Sequence, residues 1–273
     1  MSPLINRRRA AAAVLTTALL IPLAACGDDS GADKAKDKDS GSQATSSASG
    51  APKADLTVLA AASLTDVFKE AGAAYEKENP GTKVTFSFAG SQELAAQVKQ
   101  GAPADALVTA DTKTMDGLTG ETGAPTVIAK NRLVIAVGEG NPEKVENLKD
   151  LSDSKLKVVL AAPEVPVGRY SKEILDAQKI EVKPVSQEPN VRAVLSKVEL
   201  GEADAGLVYK TDAATATDKV DAIDIPDAEN AVASYPAATL KGSKHSEAAA
   251  AFVAWLSTPA AQKILQGAGF QQP

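Results

Sequence analysis

Cysteine and histidine are almost absent from this chain of 273 residues, which holds one of each. A single cysteine, Cys26, cannot form a disulfide within the chain, so stability must come from a hydrophobic core. With one histidine, His245, the chain has no cysteine–histidine cluster of the kind that holds zinc. A Ser-His-Asp triad would have to use His245, whose polar surroundings in Lys241–His245 favour a surface position.

Positive charge is scarcer than negative charge. The chain has 29 lysine and arginine residues against 35 aspartate and glutamate residues, which gives a net charge of −6. An acidic surface repels a phosphate backbone, so nucleic acid is excluded as a partner. Long apolar runs are also missing after the first 25 residues, which argues against a transmembrane helix there.

The first 25 residues are typical of a secretory signal. Arg7-Arg8-Arg9 precede an apolar stretch from Ala10 to about Leu23, and small residues follow. This stretch is too short to span a hydrocarbon core that is ~30 Å thick. We therefore predict a cleaved signal peptide over residues 1–25 and leave its export route, Sec or twin-arginine, open.

Leu23-Ala24-Ala25-Cys26 resembles the lipobox of bacterial lipoproteins. The resemblance implies cleavage before Cys26, lipidation of Cys26, and anchoring at the outer face of the cell membrane. The alternative is an ordinary cysteine after a cleaved signal. Residues 26–53 contain no branched aliphatic or aromatic side chain that could offset the entropy of ordering, so a disordered tether is predicted.

From Asp55 onward, short apolar runs alternate with helical periods, which predicts an α/β fold with largely parallel strands. Strands are predicted at Leu56–Ala60, Lys83–Phe88, Ala106–Thr109, Leu133–Val137, Leu156–Ala161, Ala205–Val208, Ala222–Ile225 and Ala237–Leu240. Helices are predicted at Leu64–Asn79, Gln92–Gln100, Thr112–Leu118, Tyr170–Lys179, Val191–Leu200, Glu247–Leu256 and Pro259–Leu265.

Four strand-to-helix junctions share small and polar residues: Ala61–Asp66, Ala89–Gln92, Pro163–Gly168 and Glu188–Arg192. Ligands of open α/β sheets bind beyond the carboxyl ends of the strands. Helix N-termini offer unpaired N–H groups and partial positive charge, so they hold anions without a cationic side chain. Each junction alone is more typical of simple capping than of a ligand site, and Ser63 with Asp66 fits the pattern of a capping box. The four together predict an anion site.

Seven segments follow one another at a spacing that is specific as a set: Val58–Asp66, Ser87–Ser91, Gly101–Asp105, Ala110–Asp111 with Met115–Asp116, Val165–Tyr170, Asn190–Arg192 and Gly206–Tyr209. This series resembles the periplasmic molybdate-binding proteins of ABC importers, over about Leu56 to Phe270. The resemblance implies a two-lobed periplasmic-binding-protein fold of type II. Each lobe would be a mostly parallel sheet flanked by helices, with the ligand in the interlobe cleft. Lobe 1 would comprise 54–132 plus 235–273, and lobe 2 would comprise 133–234.

The same resemblance implies which residues hold the ligand. Ser63 and Ser91 would donate both hydroxyl and backbone N–H groups. Val167 and Val191 would donate backbone N–H groups only, and Tyr209 would donate its phenolic O–H.

Three charged residues lie near the predicted ligand residues in sequence. Arg192 would support the site from behind or bridge the lobes, although an exposed first-turn arginine is an equal alternative. The role of Arg169 stays open. Many relatives carry asparagine at the position of Asp66, so we expect this carboxylate to face away and cap its helix.

The function implied by the resemblance is high-affinity capture of molybdate and tungstate outside the cytoplasm, and delivery to an ABC permease. The chain would act as a monomer, with no enzymatic activity, no cofactor and no metal other than the molybdenum of the bound oxyanion. Two alternatives stay open: the same fold binding sulfate or phosphate, and a secreted enzyme that uses Ser63 or Ser91 with His245 as base. The S-x-x-K pattern at Ser152–Lys155 lacks its companion motifs. The four tyrosines are not adjacent, unlike those of ferric-binding relatives.

Overall fold

The structure is a computed structural model that describes residues 52–273, and these belong to one compact unit. The predicted signal peptide, Cys26 and all but the last two residues of the predicted tether lie outside the described residues. Within residues 52–273, no helix has both the length and the apolar character that crossing a membrane requires.

Nine strands and eight α-helices alternate along the described residues. The strands are β1 Asp55–Ala61, β2 Lys83–Ala89, β3 Ala106–Val108, β4 Thr126–Gly138, β5 Val158–Ala161, β6 Ser186–Glu188, β7 Ala205–Tyr209, β8 Val220–Asp224 and β9 Val232–Thr239. The helices are α1 Thr65–Glu78, α2 Ser91–Lys99, α3 Thr112–Asp116, α4 Pro166–Ala177, α5 Val191–Glu199, α6 Lys210–Ala213, α7 Ser246–Trp255 and α8 Pro259–Gly267. Short 3₁₀ turns occur at Ala62–Leu64, Leu148–Ser152 and Asp227–Glu229.

All nine strands join in one mixed sheet of order β2-β1-β3-β9-β4-β7-β5-β6, with β8 also paired to β4. β1 is parallel to β2 and β3, and β5 is parallel to β6 and β7. The antiparallel pairs involve β4 or β9. The predicted α/β class is confirmed. The predicted parallel pairing holds for β1 to β3 on one side of the sheet and for β5 to β7 on the other, whereas the strands between them pair antiparallel.

The long strand β4 is shared between two halves of the sheet. Its residues 126–132 pair with β9, whereas its residues 133–138 pair with β7 and β8. The first half contains β1, β2, β3, β9 and this first part of β4, and α1, α2, α3, α7 and α8 pack with it. The second half contains β5 to β8 and the rest of β4, with α4, α5 and α6. A hydrophobic core of buried residues runs through both halves.

Two strands extend beyond their predicted bounds at the point where the halves meet. β4 begins at Thr126 and not at the predicted Leu133, because its first residues pair with β9. Polar Asn131 is buried inside this part of the strand, where its side-chain amide donates to Thr211 Oγ1 at 2.8 Å. β9 begins at Val232, five residues before the predicted start of this strand at Ala237 and three before Tyr235, where the second segment of the predicted lobe 1 begins. Pro236 conceals this strand in the sequence, and the structure accommodates it opposite a bulge in β4 between Val127 and Ala129.

Candidate anion-binding site

A small cavity lies at the carboxyl ends of six strands, three from each half. The centre of a water molecule can move through only ≈ 10 Å³ of it, which is about the room that a single water needs. Pockets for drug-sized organic ligands span ~300–1,000 Å³, so the cavity suits a small inorganic ligand. Its lining residues are Ala61, Ala62, Ser63, Ala89, Gly90, Ser91, Ala110, Val165, Pro166, Val167, Asn190, Val191 and Tyr209.

The structure brings all five predicted ligand residues to this one cavity: Ser63, Ser91, Val167, Val191 and Tyr209. Every lining side chain is uncharged. Any anion held here would therefore be bound by neutral donors and not by an ion pair.

Ser63 lies in the 3₁₀ turn before α1, and its side chain does not cap that helix. The interpretation of Ser63 and Asp66 as a capping box is therefore wrong. The Ser63 Oγ instead lies 3.0 Å from the Tyr235 Oη, and the Asn131 Nδ2 donates to that phenol at 3.5 Å. When Asn131 donates to Tyr235 and Tyr235 donates to Ser63, the hydroxyl hydrogen of Ser63 is left for the cavity.

Tyr235 keeps the proton that this arrangement needs. Its side chain is fully buried, and desolvation raises the pKa of the phenol well above its ordinary value. Sequence reasoning missed Tyr235 and Asn131 as parts of the site, because neither lies in a strand-to-helix junction.

Ser91 is the first residue of α2, and its Oγ accepts a hydrogen bond of 3.0 Å from the Ala110 N–H. The N-terminus of this helix is capped otherwise, since the Glu93 carboxylate accepts from the Gly90 N–H at 3.1 Å. A hydroxyl that already accepts one bond keeps its hydrogen for another acceptor. Both serines thus present a hydroxyl hydrogen to the cavity.

The second half supplies backbone donors from α4, which begins at Pro166 and not at the predicted Tyr170. Proline and glycine in Val165–Gly168 are typical of loops, but proline is favoured at the first helical position. Position 168 must be glycine because the backbone lies close to the Ala162 carbonyl oxygen, and a Cβ there would be only 2.1 Å from that atom. Val167 consequently sits in the first turn, where its N–H has no intrahelical acceptor.

α5 begins at Val191, as predicted, and Asn190 caps it by accepting from the Ala193 N–H at 3.0 Å. This cap leaves the Val191 N–H at the helix N-terminus beside the cavity. Tyr209 ends β7, and its buried hydroxyl has no protein hydrogen-bond partner. Desolvation raises the pKa of Tyr209 well above its ordinary value, so it presents a neutral O–H donor.

Arg192 lies behind the cavity lining and joins the two halves. Its Nη1 lies 2.8 Å from the Asp66 Oδ2 of the first half, and its Nε donates to Asp212 of the second half. Asp66 therefore faces Arg192, and the expectation that it caps α1 is wrong, because that helix has no side-chain cap hydrogen bond. Asp212 is fully buried, and desolvation raises its pKa to about 6 although Arg192 acts in the opposite direction.

Two further contacts connect the halves beside the cavity. Arg169 donates from Nε to the Asp111 Oδ2 at 2.9 Å and from Nη2 to the Thr114 Oγ1 at 2.7 Å. The Gln92 side-chain amide donates to the Pro189 carbonyl oxygen at 2.7 Å. The halves therefore meet through charged and polar groups around an uncharged cavity.

His245 lies at the opposite end of the sheet from the cavity. Its Nδ1 is 3.3 Å from the Asp105 Oδ1, and Asp105 accepts from the Thr57 N–H at the start of β1. The structure does not bring this histidine to Ser63 or Ser91, so His245 cannot serve as the base of the serine-enzyme alternative. No group of three or more metal-ligating side chains occurs among residues 52–273.

Comparisons with known proteins extend over almost the whole chain. The profile of a family described as bacterial extracellular solute-binding protein matches residues 56–271. The molybdate-binding protein ModA of Mycobacterium tuberculosis is 39% identical over 95% of this chain and 97% of its own length. The protein of the same name from Haemophilus influenzae is 36% identical, over 81% of this chain and 91% of its own length.

Solved structures with the same fold include three extracellular binding proteins. One, described as the substrate-binding domain of a molybdenum ABC transporter from Clostridium difficile, is 29% identical with a TM-score of 0.61, over 80% of this chain and 99% of that one. The molybdate-binding protein of Azotobacter vinelandii has a TM-score of 0.69 at 23% identity, with the same two coverages. The sulfate-binding protein SubI of Mycobacterium tuberculosis has a TM-score of 0.71 at 20% identity, over 80% of this chain and 86% of that one. The last two likenesses concern the fold alone.

Proposed function

The chain belongs to the bacterial extracellular solute-binding proteins, and from this premise we propose that it captures molybdate, and tungstate in the same way, for an ABC importer. The observation that carries the proposal is the small cavity between the two halves, lined by uncharged donors at strand ends and helix N-termini. The 39% identity to a molybdate-binding protein over 95% of the chain supports the identity of the anion.

Both halves of the sheet supply hydrogen-bond donors to the proposed site. We propose that Ser63 and Ser91 bind the oxyanion with hydroxyl and backbone N–H groups, Val167 and Val191 with backbone N–H groups, and Tyr209 with its phenol. Hydrogen bonds to a charged acceptor contribute ~1.5–3 kcal/mol each. After immobilisation costs, such a set supports a Kd between about micromolar and nanomolar.

Discrimination among tetrahedral oxyanions would come from two properties of the cavity. Hydrogen phosphate carries a proton that needs an acceptor, and the lining side chains include no carboxylate. Sulfate carries no proton at neutral pH, so only its smaller size would exclude it. We therefore expect phosphate to be rejected by hydrogen-bond chemistry and sulfate by imperfect fit.

Closure of two lobes over the anion would complete the site. The lobes predicted from the sequence, residues 54–132 plus 235–273 and residues 133–234, stay a proposal. The shared strand β4 and the start of β9 at Val232 support a crossing near Arg132 and a return near Val232. Because each half contributes part of the donor set, only the closed form would hold the anion from both sides.

Delivery requires a membrane partner and a means of staying near it. We propose that the cleaved signal peptide and the lipid on Cys26 hold a monomeric protein at the outer face of the cell membrane, where it would dock on a permease. The lipobox-like sequence before Cys26 and the extracellular character of the family support this location.

Calorimetric titration tests the proposed ligand. A soluble form that begins at Gly27 would be titrated with molybdate, tungstate, sulfate and phosphate. We expect tight one-to-one binding of molybdate and tungstate, and no heat with phosphate. Tighter binding of sulfate than of molybdate would instead assign the same site to sulfate, and no heat with any of the four anions from folded protein would contradict an oxyanion site.

A further inference from the structure

Two arginines that touch none of the cavity lie directly behind its backbone donors. Arg192 follows Val191, and Arg169 lies two residues after Val167. Each is thus in the first turns of a helix, α5 or α4, whose N-terminus lines the cavity. A movement of either guanidinium is therefore coupled to the position of a proposed ligand donor.

Each arginine is anchored in its own half of the sheet and reaches into the other. Arg192 donates to buried Asp212 in the second half and pairs with Asp66 on α1 of the first half. Arg169 donates to the Glu164 carbonyl oxygen in the second half and to Asp111 and Thr114 at the start of α3 in the first half. The own-half anchor fixes the side chain, so that its second contact can form only when the halves are close together.

The partners in the first half are also adjacent to the cavity. Asp66 lies three residues after Ser63, and Asp111 follows the lining residue Ala110. The two bridges therefore stand next to the cavity, each joining a segment of the first half to a segment of the second.

From this geometry we propose that Arg169 and Arg192 are cross-cleft latches: positioning residues that hold the two halves closed over the bound anion and slow its release. The identity of the anion rests on the proposed function, whereas the latch itself rests on the bridges alone.

The two latches differ in how well they are shielded from water. The side chains of Arg169 and Asp111 are 21% and 4% exposed, whereas Asp66 is 51% exposed. Ion pairs that include an exposed partner are weakened by solvent and salt, whereas hydrogen bonds to charged groups that are shielded from water are stronger. The Arg169 latch should therefore be the stronger of the two.

Charge repulsion alone predicts an effect of mutation on anion binding that is opposite to the effect predicted by the latch, so the two can be distinguished by experiment. Replacing a carboxylate near a dianion by a neutral amide reduces repulsion and should tighten binding. If the carboxylates instead serve as the far ends of latches, the same substitutions should weaken binding. Asp66→Asn and Asp111→Asn are suitable variants, because asparagine keeps the shape and, at position 111, can still cap α3 by accepting from the Thr114 N–H.

The experiment measures anion release from the soluble form that begins at Gly27, by rapid mixing of the molybdate complex with excess tungstate. We expect the dissociation rate to rise about tenfold in Asp111→Asn and about threefold in Asp66→Asn, with little change in the association rate. The matched control is Asp176→Asn, which removes one exposed carboxylate from α4 and breaks only the pair with Lys172 inside that helix. The control should release the anion at the wild-type rate.

Small-angle scattering separates failure of the latch from failure of the proposed function. Without ligand, the double variant Asp66→Asn/Asp111→Asn should have a larger radius of gyration than wild type and the Asp176→Asn control. A wild-type protein that binds none of the four anions would overturn the proposed function, while the scattering would still test the latch. Dissociation rates and radii in the double variant that match the control, or tighter binding in either single variant, would overturn the latch.

Discussion

The two halves of the cavity hold their donors by different means. In the first half, serine side chains present hydroxyl hydrogens, and each is oriented by a second group, Tyr235 behind Ser63 and Ala110 behind Ser91. In the second half, Val167 and Val191 contribute backbone N–H groups from first helical turns. The donors of the first half thus depend on which side chains are present, whereas the backbone donors of the second half depend on where the helices begin.

The two kinds of donor should respond differently to mutation. A side-chain donor is lost when the residue is replaced, whereas a backbone donor survives replacement as long as the helix starts at the same place. The vulnerable residues of the second half are therefore those that position the helices, such as Gly168 and Asn190, and not the donor residues themselves.

The largest effect is expected for Gly168→Ala. The added Cβ would lie 2.1 Å from the Ala162 carbonyl oxygen and 2.7 Å from that of Ala161, so α4 must shift away from β5. Overpacking of this kind costs ~1–3 kcal/mol or more of stability, and the shift should also weaken molybdate binding ~100-fold. Urea unfolding and calorimetry would measure both, and Gly267→Ala, which has open space around it, is the control. Wild-type affinity in Gly168→Ala would break the comparison.

A pH dependence of stability is expected from Asp212, the buried carboxylate of the second half. Desolvation raises its pKa from 3.8 to about 6, so between these values the folded protein binds more protons than the unfolded chain. Stability from this group must then decrease as pH rises from about 4 to about 6, by up to ~3 kcal/mol. Asp212→Asn should remove this decrease, which urea unfolding at several pH values would detect. The exposed-carboxylate variant Asp176→Asn should keep the wild-type profile, and an unchanged profile in Asp212→Asn would contradict the assignment.

The donor residues themselves provide the most direct comparison of the halves. Ser91→Ala removes a hydroxyl donor and leaves the Ala110 N–H without its acceptor, so molybdate binding should weaken by ~1.5–3 kcal/mol, about 10- to 100-fold. Val191→Ala keeps its backbone N–H, and its affinity should stay within about threefold of wild type. Calorimetric titration of both variants would reveal the difference. Equal losses would show that the halves do not differ in the proposed way.

The smallest effect is expected for Tyr235→Phe, which removes the group behind Ser63 and leaves the serine in place. Ser63 would lose its bond of 3.0 Å to the phenol, and affinity should decrease about fivefold, or ~1 kcal/mol. Tyr75→Phe is the matched control, since Tyr75 is equally buried in the first half but its hydroxyl has no hydrogen-bond partner. Equal affinities of the two variants would remove Tyr235 from the site.

Much of the fold could be predicted because apolar periodicity and breakers mark most elements. α1, α2, α5, α7 and the first two strands begin and end within about two residues of their predicted bounds. The failures at α4 and β4 share one cause, which is that a distant contact outweighs the local sequence pattern. Val165–Gly168 resembles a loop until the proximity of Gly168 to Ala162 is known, and Asn131 interrupts an apolar pattern until Thr211 and Tyr235 satisfy its amide.

The candidate site likewise has one part that could be predicted from the sequence and one part that could not. The residue types at four strand-to-helix junctions, together with the resemblance of seven segments, are enough to predict five of the residues that line the cavity, because the carboxyl ends of parallel strands meet at one edge of the sheet. The groups that act across large sequence separations could not be predicted. Ser63 and Tyr235 are 172 residues apart, and Arg169 and Asp111 are 58 apart.

The sequence by itself therefore determined the class of fold, the junctions that line the cavity and the uncharged nature of their side chains, since each of these depends on residue type and short-range spacing. Only the tertiary structure decided how the serines are oriented, where α4 begins and which carboxylates Arg169 and Arg192 meet. These features depend on distances between groups from opposite halves of the sheet, and no local pattern in a chain encodes such distances.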